Sequence, residues 1–277
     1  MTEASPTVLT PDDIAVVIPA LNEELRIRDV VQGALAQCPR VIVIDDGSED
    51  GTVAAIADLP VTVICHARRM GKGAGLRDGF AEAMRQGARG VISMDGDGQH
   101  SADDIPRLLE AANAHPGHIV IGARLRKRAR QPTHRRIAND FGDWGIGVAC
   151  GFRIADTQSG QRFYPKAVCE LGDIPGEDFV YEAQLLISAS RRLGIRSVSI
   201  PIESRYQAAG APVNFRKSHF RPLHDLWRIT EHVVRQALSQ GRVLHEYRRT
   251  RATPPVIFDP TGEFAPALGA SPQPEHS

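Results

Sequence analysis

Two carboxylates one residue apart, Asp95 and Asp97, are the side chains of this sequence best suited to chemistry. They follow a short apolar run, residues 90–94, which is typical of a buried strand. Carboxylates at the point where a strand runs into a loop supply the hard oxygen ligands that Mg²⁺ and Mn²⁺ prefer. Gln99 lies two residues further on and could add an amide oxygen. From this segment alone, an ordinary turn in which Asp and Gly have no chemical role is an equal alternative.

The elements that position this pair are predicted by apolar runs alternating with helical patterns from residue 13 to about residue 124. Near-continuous apolar strands separated by helices are typical of an α/β fold with a mostly parallel central sheet and helices on both faces. Ligands of such sheets bind beyond the carboxyl ends of the strands. Strands are predicted at 14–18, 41–44, 61–64, 90–94 and 118–121, and helices at 24–37, 53–59, 73–86 and 101–113.

Polar turns follow three of these strands. The first strand leads into residues 19–23 (Pro-Ala-Leu-Asn-Glu), the second into Asp45 and Asp46, and the fourth into Asp95 and Asp97. Carboxylates at three neighbouring strand ends are hard to explain by turn chemistry alone. The sequence therefore predicts a ligand site at this edge of the sheet.

The second half of the chain is less regular. Strands are predicted at 161–164 and 195–202 and helices at 181–193 and 221–238, while residues 131–151 mix basic and apolar side chains. We predict one domain over 13–240, with a nucleotide-binding half at 13–124 and an acceptor half at 125–240. The termini, 1–12 and a Pro-rich tail at 241–277, are predicted to be largely disordered.

Charge is balanced over the whole chain, with 33 basic and 33 acidic residues, but it is unevenly distributed. Residues 124–136 contain seven basic and no acidic side chains, and a second basic excess runs from 191 to 251. Solvated helix faces and a surface for phosphates or anionic lipid head groups are both open interpretations. We expect no nucleic-acid partner.

Cysteine usage and apolar runs predict a cytoplasmic protein. The cysteines form no C-x-x-C motif and are expected to be small core residues: Cys38, Cys65, Cys150 and Cys169. No signal peptide and no bilayer-spanning run is evident, so any membrane contact is expected to be peripheral, on the cytoplasmic face. Four apolar residues beside the basic run could dip into a membrane interface, although at least half are expected to pack on the sheet: Phe141, Trp144, Ile146 and Val148.

Three ordered motifs resemble those of family-2 glycosyltransferases, in particular the branch of dolichol-phosphate mannosyltransferases and other polyprenyl-phosphate glycosyltransferases. They are residues 17–23 (VIPALNE), 43–52 (VIDDGSEDGT) and 94–100 (MDGDGQH), with support from 121–124, 135–136, 156–160, 200–203 and 217–222. The resemblance covers roughly residues 13–235. It implies a GT-A (Rossmann-like) fold, a nucleoside diphosphate sugar linked to UDP or GDP as donor, and Mg²⁺ or Mn²⁺ as cofactor.

The resemblance also implies roles for individual residues. The donor nucleotide would contact Pro19, Ala20, Asn22, Glu23, Asp45, Asp46, Lys72 and Asp95. The cation would be held by Asp95, Asp97 and Gln99. Phosphates would contact Arg124, Arg135, Lys217 and Arg221. Catalytic contributions are expected from Asp97, Asp156, Glu182 and Arg136, and the acceptor-side carboxylate is one of Asp156, Glu177, Asp178 and Glu182.

The acceptor favoured by the resemblance is a lipid phosphate, which is ionised at neutral pH and needs no general base. A hydroxyl acceptor, the second possibility, would need a carboxylate to take its proton. Residues 179–182 read Phe-Val-Tyr-Glu where relatives usually have Phe-Glu-Phe-Glu, so one carboxylate is missing there. Two other classes of protein also fit parts of the pattern: a phosphohydrolase with two aspartates at a strand end, and a non-catalytic nucleotide-sugar sensor.

Overall fold

Eight strands form one sheet in the computed structural model, which describes residues 8–125, 133–174, 178–203, 243–260 and 262, except for the side chains of 133–141, 178–179 and 243–246. The strands are β1 (Ile14–Ala20), β2 (Val41–Asp45), β3 (Thr62–Cys65), β4 (Gly90–Ser93), β5 (Ile119–Ala123), β6 (Arg162–Pro165), β7 (Ser197–Pro201) and β8 (Val256–Ile257). Their order across the sheet is β3-β2-β1-β4-β6-β5-β7-β8.

Seven helices accompany these strands in the described parts of the chain. They are α1 (Ile27–Leu35), α2 (Lys72–Arg85), α3 (Ile105–Ala114), α4 (Thr133–Cys150), α5 (Lys166–Cys169), α6 (Asp178–Leu193) and α7 (Val243–Ala252). The helix predicted at 53–59 is only a 3-10 turn, Ala54–Ile56, and the predicted cap Ser101 begins a 3-10 turn that leads into α3. The helix predicted at 221–238 lies outside the described residues.

Helices cover both faces of the sheet, as predicted. Along β1 the side chains alternate between two buried clusters, because successive residues of a strand point to opposite faces. Ala15 and Val17 pack with residues of α2 and α6, including Leu76. Ile14 and Ile18 pack in the other cluster with residues of α1 and α3. Burial on both faces explains why β1 is apolar throughout.

One strand departs from the parallel pattern. β6 runs antiparallel to both of its neighbours, β4 and β5, and pairs Arg162 with Ser93. Its apolar residues predicted a strand, but a strand's direction depends on the path of the chain before it. The chain enters β6 at the end of the sheet where β4 finishes. The turn at 156–160 is thereby placed beside Asp95.

The prediction of a largely disordered tail is wrong for α7 and β8. β8 extends the sheet by pairing with β7, and Phe258 N donates to Ser199 O at 2.8 Å. Thr250 of α7 is buried, and its hydroxyl donates to Gly147 O of α4 at 3.4 Å. The tail is poor in apolar residues, so its order depends on pairing with distant parts of the chain, which local composition does not reveal.

Solvent exposure shows which of the apolar residues near the basic run, and which cysteines, belong to the core. Ile146 and Val148 are buried, whereas Trp144 is 47% exposed, and the side chain of Phe141 lies outside the described set. Cys38 and Cys150 are core residues as expected, but Cys65 is exposed, since it ends the edge strand β3. Among the residues that the structure describes, no helix has the length and apolar character needed to cross a bilayer.

Candidate active site

The carboxyl ends of β2, β1 and β4 lie side by side and bring three of the predicted motifs together. β1 lies between β2 and β4, and Ala20 pairs in register with Asp45. Pro19 and Ala20 are the last residues of β1, and Asp95 follows the end of β4 by two residues. The three motifs therefore meet at one edge of the sheet, and a ligand site at this edge stays a prediction.

The turn after β1 is tied to the turn after β2. The backbone N–H of Asn22 donates to Ser48 Oγ and the backbone N–H of Glu23 donates to Thr52 Oγ1, both at 2.8 Å. Asn22 Oδ1 accepts from Glu49 N at 2.8 Å. Asn22 has a φ of +56°, a left-handed conformation that Asn tolerates better than most residues. These bonds fix Asn22 and Glu23 close to the end of β2.

Asp45 and Asp46 have different environments. Asp46 accepts hydrogen bonds from the backbone N–H groups of Met70 (2.7 Å) and Gly71 (2.8 Å), and lies 2.8 Å from His66 Nδ1. Its oxygens thus hold the loop that begins α2. Asp45 Oδ1 is buried and has no hydrogen-bond partner within the described residues. Of the two predicted nucleotide ligands, Asp45 is therefore the one with an acceptor atom left for a ligand.

His66 bridges two carboxylates, and these contacts affect its pKa. Its Nε2 lies 3.0 Å from Asp78 Oδ2, opposite the contact with Asp46. Burial favours the neutral imidazole, but the two carboxylates outweigh burial and raise the pKa of His66 above 6.5.

A group with a raised folded-state pKa stabilises the fold fully below its unfolded pKa, and this contribution is lost as pH rises through the folded value. We therefore expect the free energy of unfolding to fall as pH rises through the raised pKa of His66. Urea unfolding of wild type and of His66→Gln, each measured across pH 5–9, isolates the contribution of His66 to the free energy of unfolding. If the free energy of unfolding varies with pH in the same way in both proteins, this expectation is contradicted. Asp78→Asn removes one of the two carboxylates, so it should shift the loss of stability to lower pH.

Lys72 connects the two halves of the site. It is the first residue of α2, and its Nζ lies 2.6 Å from Asp95 Oδ1 and 3.3 Å from Glu182 Oε2 on α6. Burial opposes the charge of Lys72, but the two carboxylates outweigh it and raise the Lys72 pKa. Glu182 Oε1 is buried without a hydrogen-bond partner in the described residues. Lys72 thus links Asp95, of the motif at 94–100, to Glu182 in the second half of the chain.

Asp95 and Asp97 differ in how their charges are compensated. Burial favours the neutral acid at Asp95, but Lys72 and His100 outweigh it and lower its pKa to about 2. Burial and the charge of Asp95 raise the pKa of Asp97. Asp97 Oδ1 accepts from the backbone N–H of Gln99 at 2.9 Å. An added divalent cation would relieve the repulsion between these two carboxylates.

The donor set at this position fits a hard divalent cation. Carboxylate oxygens of Asp95 and Asp97 are suitable ligands for Mg²⁺ or Mn²⁺. In the parts of the chain that the structure describes, no group of three or more His, Cys, Asp or Glu side chains forms a complete metal site. A cation here would take its remaining ligands from substrate phosphates, water or side chains such as the predicted Gln99.

The turn at 156–160 approaches Asp95 from the second half of the chain. A Cβ on Gly160 would lie 2.5 Å from Asp95 Oδ2 and 2.9 Å from Lys72 Nζ, so any larger residue would displace these two side chains. Ser93 Oγ donates to Gly160 O at 2.7 Å and fixes the turn against β4. The motif at 156–160 and Asp95 of the motif at 94–100 are therefore in direct contact, although some 60 residues separate them in the sequence.

Asp156 is paired with Arg124. Asp156 accepts from Arg124 Nε at 2.7 Å, from its Nη2 at 2.6 Å and from its backbone N–H at 2.8 Å. Burial disfavours the charged carboxylate, but Arg124 outweighs it and lowers the pKa of Asp156. A carboxylate with a depressed pKa is a poor general base, and a bidentate pair fixes the plane of the guanidinium. Asp156 is thus better placed to orient Arg124 than to take a proton.

Asp143 and Arg162 support this pair and were not predicted. Asp143 on α4 accepts from the backbone N–H groups of Asp156 at 3.2 Å and Thr157 at 2.7 Å. Arg162 is 1% exposed and donates to Thr157 O at 2.5 Å and Ser159 O at 2.7 Å. A lone Asp in a helix and a lone Arg in a strand carry no recognisable motif. An arginine in an otherwise apolar strand was the only available signal.

Three predicted phosphate contacts, Arg135, Lys217 and Arg221, and the predicted catalytic residue Arg136 have side chains outside the described set. Arg135 and Arg136 lie in α4, whereas all atoms of Lys217 and Arg221 are outside the set. The side chain of Asp178 is also outside it, and Glu177 is outside altogether. Their roles remain predictions.

Similar structures support the fold. The glucosyl-3-phosphoglycerate synthase of Mycobacterium tuberculosis, in complex with Mn²⁺, UDP and glucosyl-3-phosphoglycerate, superposes with a TM-score of 0.57 at 21% identity, covering 86% of each chain. The mannosyl-3-phosphoglycerate synthase of Rubrobacter xylanophilus gives a TM-score of 0.62 at 18% identity, covering 83% of this chain and 75% of that one. At these identities the likeness shows the fold alone, and it confirms the expected GT-A architecture.

Proteins of similar sequence, together with a family model, identify the family of this chain. A polyprenol monophosphomannose synthase of Mycolicibacterium smegmatis is 29% identical, covering 85% of this chain and 92% of that protein. The UDP-N-acetylglucosamine–dolichyl-phosphate N-acetylglucosaminyltransferase of Methanococcus voltae is 27% identical, covering 70% and 86%. The model of glycosyl transferase family 2 matches residues 15–163, more than half of the chain. The resemblance to the polyprenyl-phosphate branch is confirmed, and the chain belongs to glycosyl transferase family 2.

Proposed function

We propose that this protein transfers a sugar from a nucleoside diphosphate sugar to the phosphate of a polyprenyl lipid, with Mg²⁺ or Mn²⁺ as cofactor. An acceptor oxygen would form a bond to the anomeric carbon while the bond to the diphosphate breaks, and one direct displacement inverts that carbon. Residues 13–124 would bind the nucleotide and 125–240 the acceptor. Relatives named for polyprenol and undecaprenyl-phosphate substrates support this assignment. A peripheral position on the cytoplasmic membrane face is part of the same proposal.

The pairing of Arg124 with Asp156 is the observation that carries the acceptor assignment. Asp156 is engaged by three N–H donors and has a lowered pKa, so it orients an arginine instead of accepting a proton. Arg124 also begins the run at 124–136, which has seven basic and no acidic residues. A fixed guanidinium, in a basic stretch of the sequence, suits a phosphate acceptor, which arrives ionised and requires no base.

The donor end of the site is assigned to the strand ends. Asp45 Oδ1, buried and without a partner in the described chain, is available to accept an N–H of the base. Asn22 and Glu23 are fixed next to it. A cation held by Asp95 and Asp97 would, when bound, neutralise charge on the departing diphosphate. Mn²⁺ and UDP in the Mycobacterium tuberculosis structure support this proposal.

A second candidate function is transfer to a hydroxyl group, and one carboxylate oxygen, Glu182 Oε1, favours it. Glu182 Oε1 is a buried carboxylate oxygen without a hydrogen-bond partner in the described residues, and it lies on the acceptor side. Such an oxygen could take the proton of an alcohol acceptor. The M. tuberculosis and R. xylanophilus neighbours are named as synthases of glycosylated phosphoglycerates.

A paired-acceptor assay separates the two functions. Labelled UDP- and GDP-sugars are supplied with Mn²⁺ and either a short-chain polyprenyl phosphate or the polyprenol of the same length. We expect transfer to the phosphate at least about a hundredfold faster than to the alcohol, because a guanidinium fixed for a phosphate has no partner in the alcohol. Transfer to the alcohol that is abolished by Glu182→Gln would contradict the proposal and establish the second function.

A further inference from the structure

α7, which the sequence pattern does not predict, completes a surface together with α4. Thr250 of α7 is buried against Gly147, and Arg153 N donates to Thr253 O at 3.1 Å just beyond the two helices. The two helices therefore lie side by side around this contact, and the exposed side chains described near it share one surface.

An aromatic pair lies in the middle of this surface. Trp144 of α4 and Tyr247 of α7 are 47% and 37% exposed, and their ring centroids are 6.3 Å apart at an interplanar angle of 66°. On either side of Trp144 along α4, Asp143 and Ile146 are buried. Trp and Tyr with one apolar and one polar end are favoured at the head-group level of a bilayer.

Exposed basic side chains lie on the same helix as Tyr247 and beside its end. Arg248 and Arg251 are exposed on α7, one residue and one helical turn from Tyr247. Arg153 is exposed beside the end of α7. Guanidinium groups next to exposed aromatic rings complement anionic phosphate head groups, and each adds attraction to an anionic leaflet. A protein partner would require no such combination of interfacial aromatics and arginines.

The surface also adjoins the acceptor side of the active site. Trp144 immediately follows Asp143, whose carboxylate holds the backbone of Asp156 and Thr157, and Asp156 in turn holds Arg124. A polyprenyl chain stays in the bilayer while its phosphate reaches the protein. A membrane-facing surface must therefore lie close to the acceptor side, and α4 has the acceptor turn on its inner face and Trp144 on its outer face.

We propose that the surface formed by Trp144, Tyr247, Arg248, Arg251 and Arg153 docks the protein on an anionic lipid bilayer. The choice of a membrane as occupant rests on the proposed function, whereas the aromatic and basic character of the surface does not. Docking would orient the acceptor side towards the head groups, where a lipid phosphate is presented.

Vesicle co-sedimentation of the full chain tests the docking without donor or acceptor. Wild type is expected to bind vesicles of phosphatidylcholine with phosphatidylglycerol at least tenfold more tightly than pure phosphatidylcholine vesicles, and more weakly at high salt. The variant W144S/Y247S and the variant R248Q/R251Q should each lose at least tenfold. V8S, at another exposed apolar residue, and R85Q/K166Q, which removes two exposed charges elsewhere, should bind like wild type.

The outcomes separate docking from function. Circular dichroism and thermal melting confirm that each variant is folded. Surface variants that bind as tightly as wild type would overturn the docking proposal. Absence of vesicle binding by wild type would overturn it as well, and dimerisation that W144S/Y247S abolishes would then assign the surface to a second copy. With a short-chain, water-soluble polyprenyl phosphate, W144S/Y247S should retain wild-type turnover. Absence of transfer by wild type in that assay would count against the proposed function alone.

Discussion

Replacing Asp97 with Asn is expected to reduce sugar transfer at least about a hundredfold, roughly 2.7 kcal/mol of transition-state stabilisation, without unfolding the protein. Asparagine has nearly the same shape but lacks the charge needed to hold a divalent cation. Burial and the neighbouring charge of Asp95 raise the pKa of Asp97. An ionised Asp97 therefore destabilises the folded protein when no cation is bound. The variant should therefore melt at the same or a slightly higher temperature without metal.

Steady-state transfer rates and melting curves, measured with and without Mn²⁺, check this prediction. Asp12→Asn is a matched control, since Asp12 is exposed and precedes the amino end of β1, opposite the carboxyl ends where the motifs lie. Wild-type activity of Asp97→Asn would exclude a catalytic cation at this position. A large loss of thermal stability without metal would instead make Asp97 a structural residue.

Asp156→Asn and Arg124→Gln are each expected to lower the transfer rate to a lipid phosphate by about a hundredfold, and the double variant by little more than either. Non-additivity is expected because Asp156 acts through Arg124, which it holds with two side-chain hydrogen bonds of 2.6 and 2.7 Å. Arg124→Gln should also raise the KM for the lipid phosphate.

A pH profile distinguishes positioning from base catalysis. If Asp156 only orients Arg124, the Asp156→Asn variant should keep the shape of the wild-type pH profile at a lower rate. Loss of the acidic limb in this variant, with additive effects of the two substitutions, would show that Asp156 is the general base. Asp104→Asn provides a control, because Asp104 is also buried and also pairs with an arginine, Arg107.

The donor side of the site could be predicted from the sequence because each motif is local. A strand followed by polar residues is visible within a few positions, and parallel strands place their carboxyl ends at one edge. The residues at 19–23, Asp45 and Asp95 are brought together in this way. The distinct tasks of Asp45 and Asp46 were not predictable, since Asp46 is engaged by a loop more than 20 residues away.

The acceptor side was less predictable because long-range contacts define it. The direction of β6, the support of the 156–160 turn by Asp143 and Arg162, and the packing of α7 on α4 all depend on residues far apart in the chain. Asp156 was expected to be a catalytic carboxylate from its motif. Only the position of Arg124 shows that its charge is already compensated.

Metal-dependent binding of nucleoside diphosphates tests the central claim most directly. Thermal shifts are measured for wild type and Asp97→Asn with UDP, GDP and their sugar conjugates, each with and without Mn²⁺. We predict that one nucleotide stabilises wild type by several degrees only when Mn²⁺ is present, and that Asp97→Asn loses this shift. Absence of a shift with every nucleotide, or an equal shift in the variant, would contradict a metal-dependent donor site at Asp95 and Asp97.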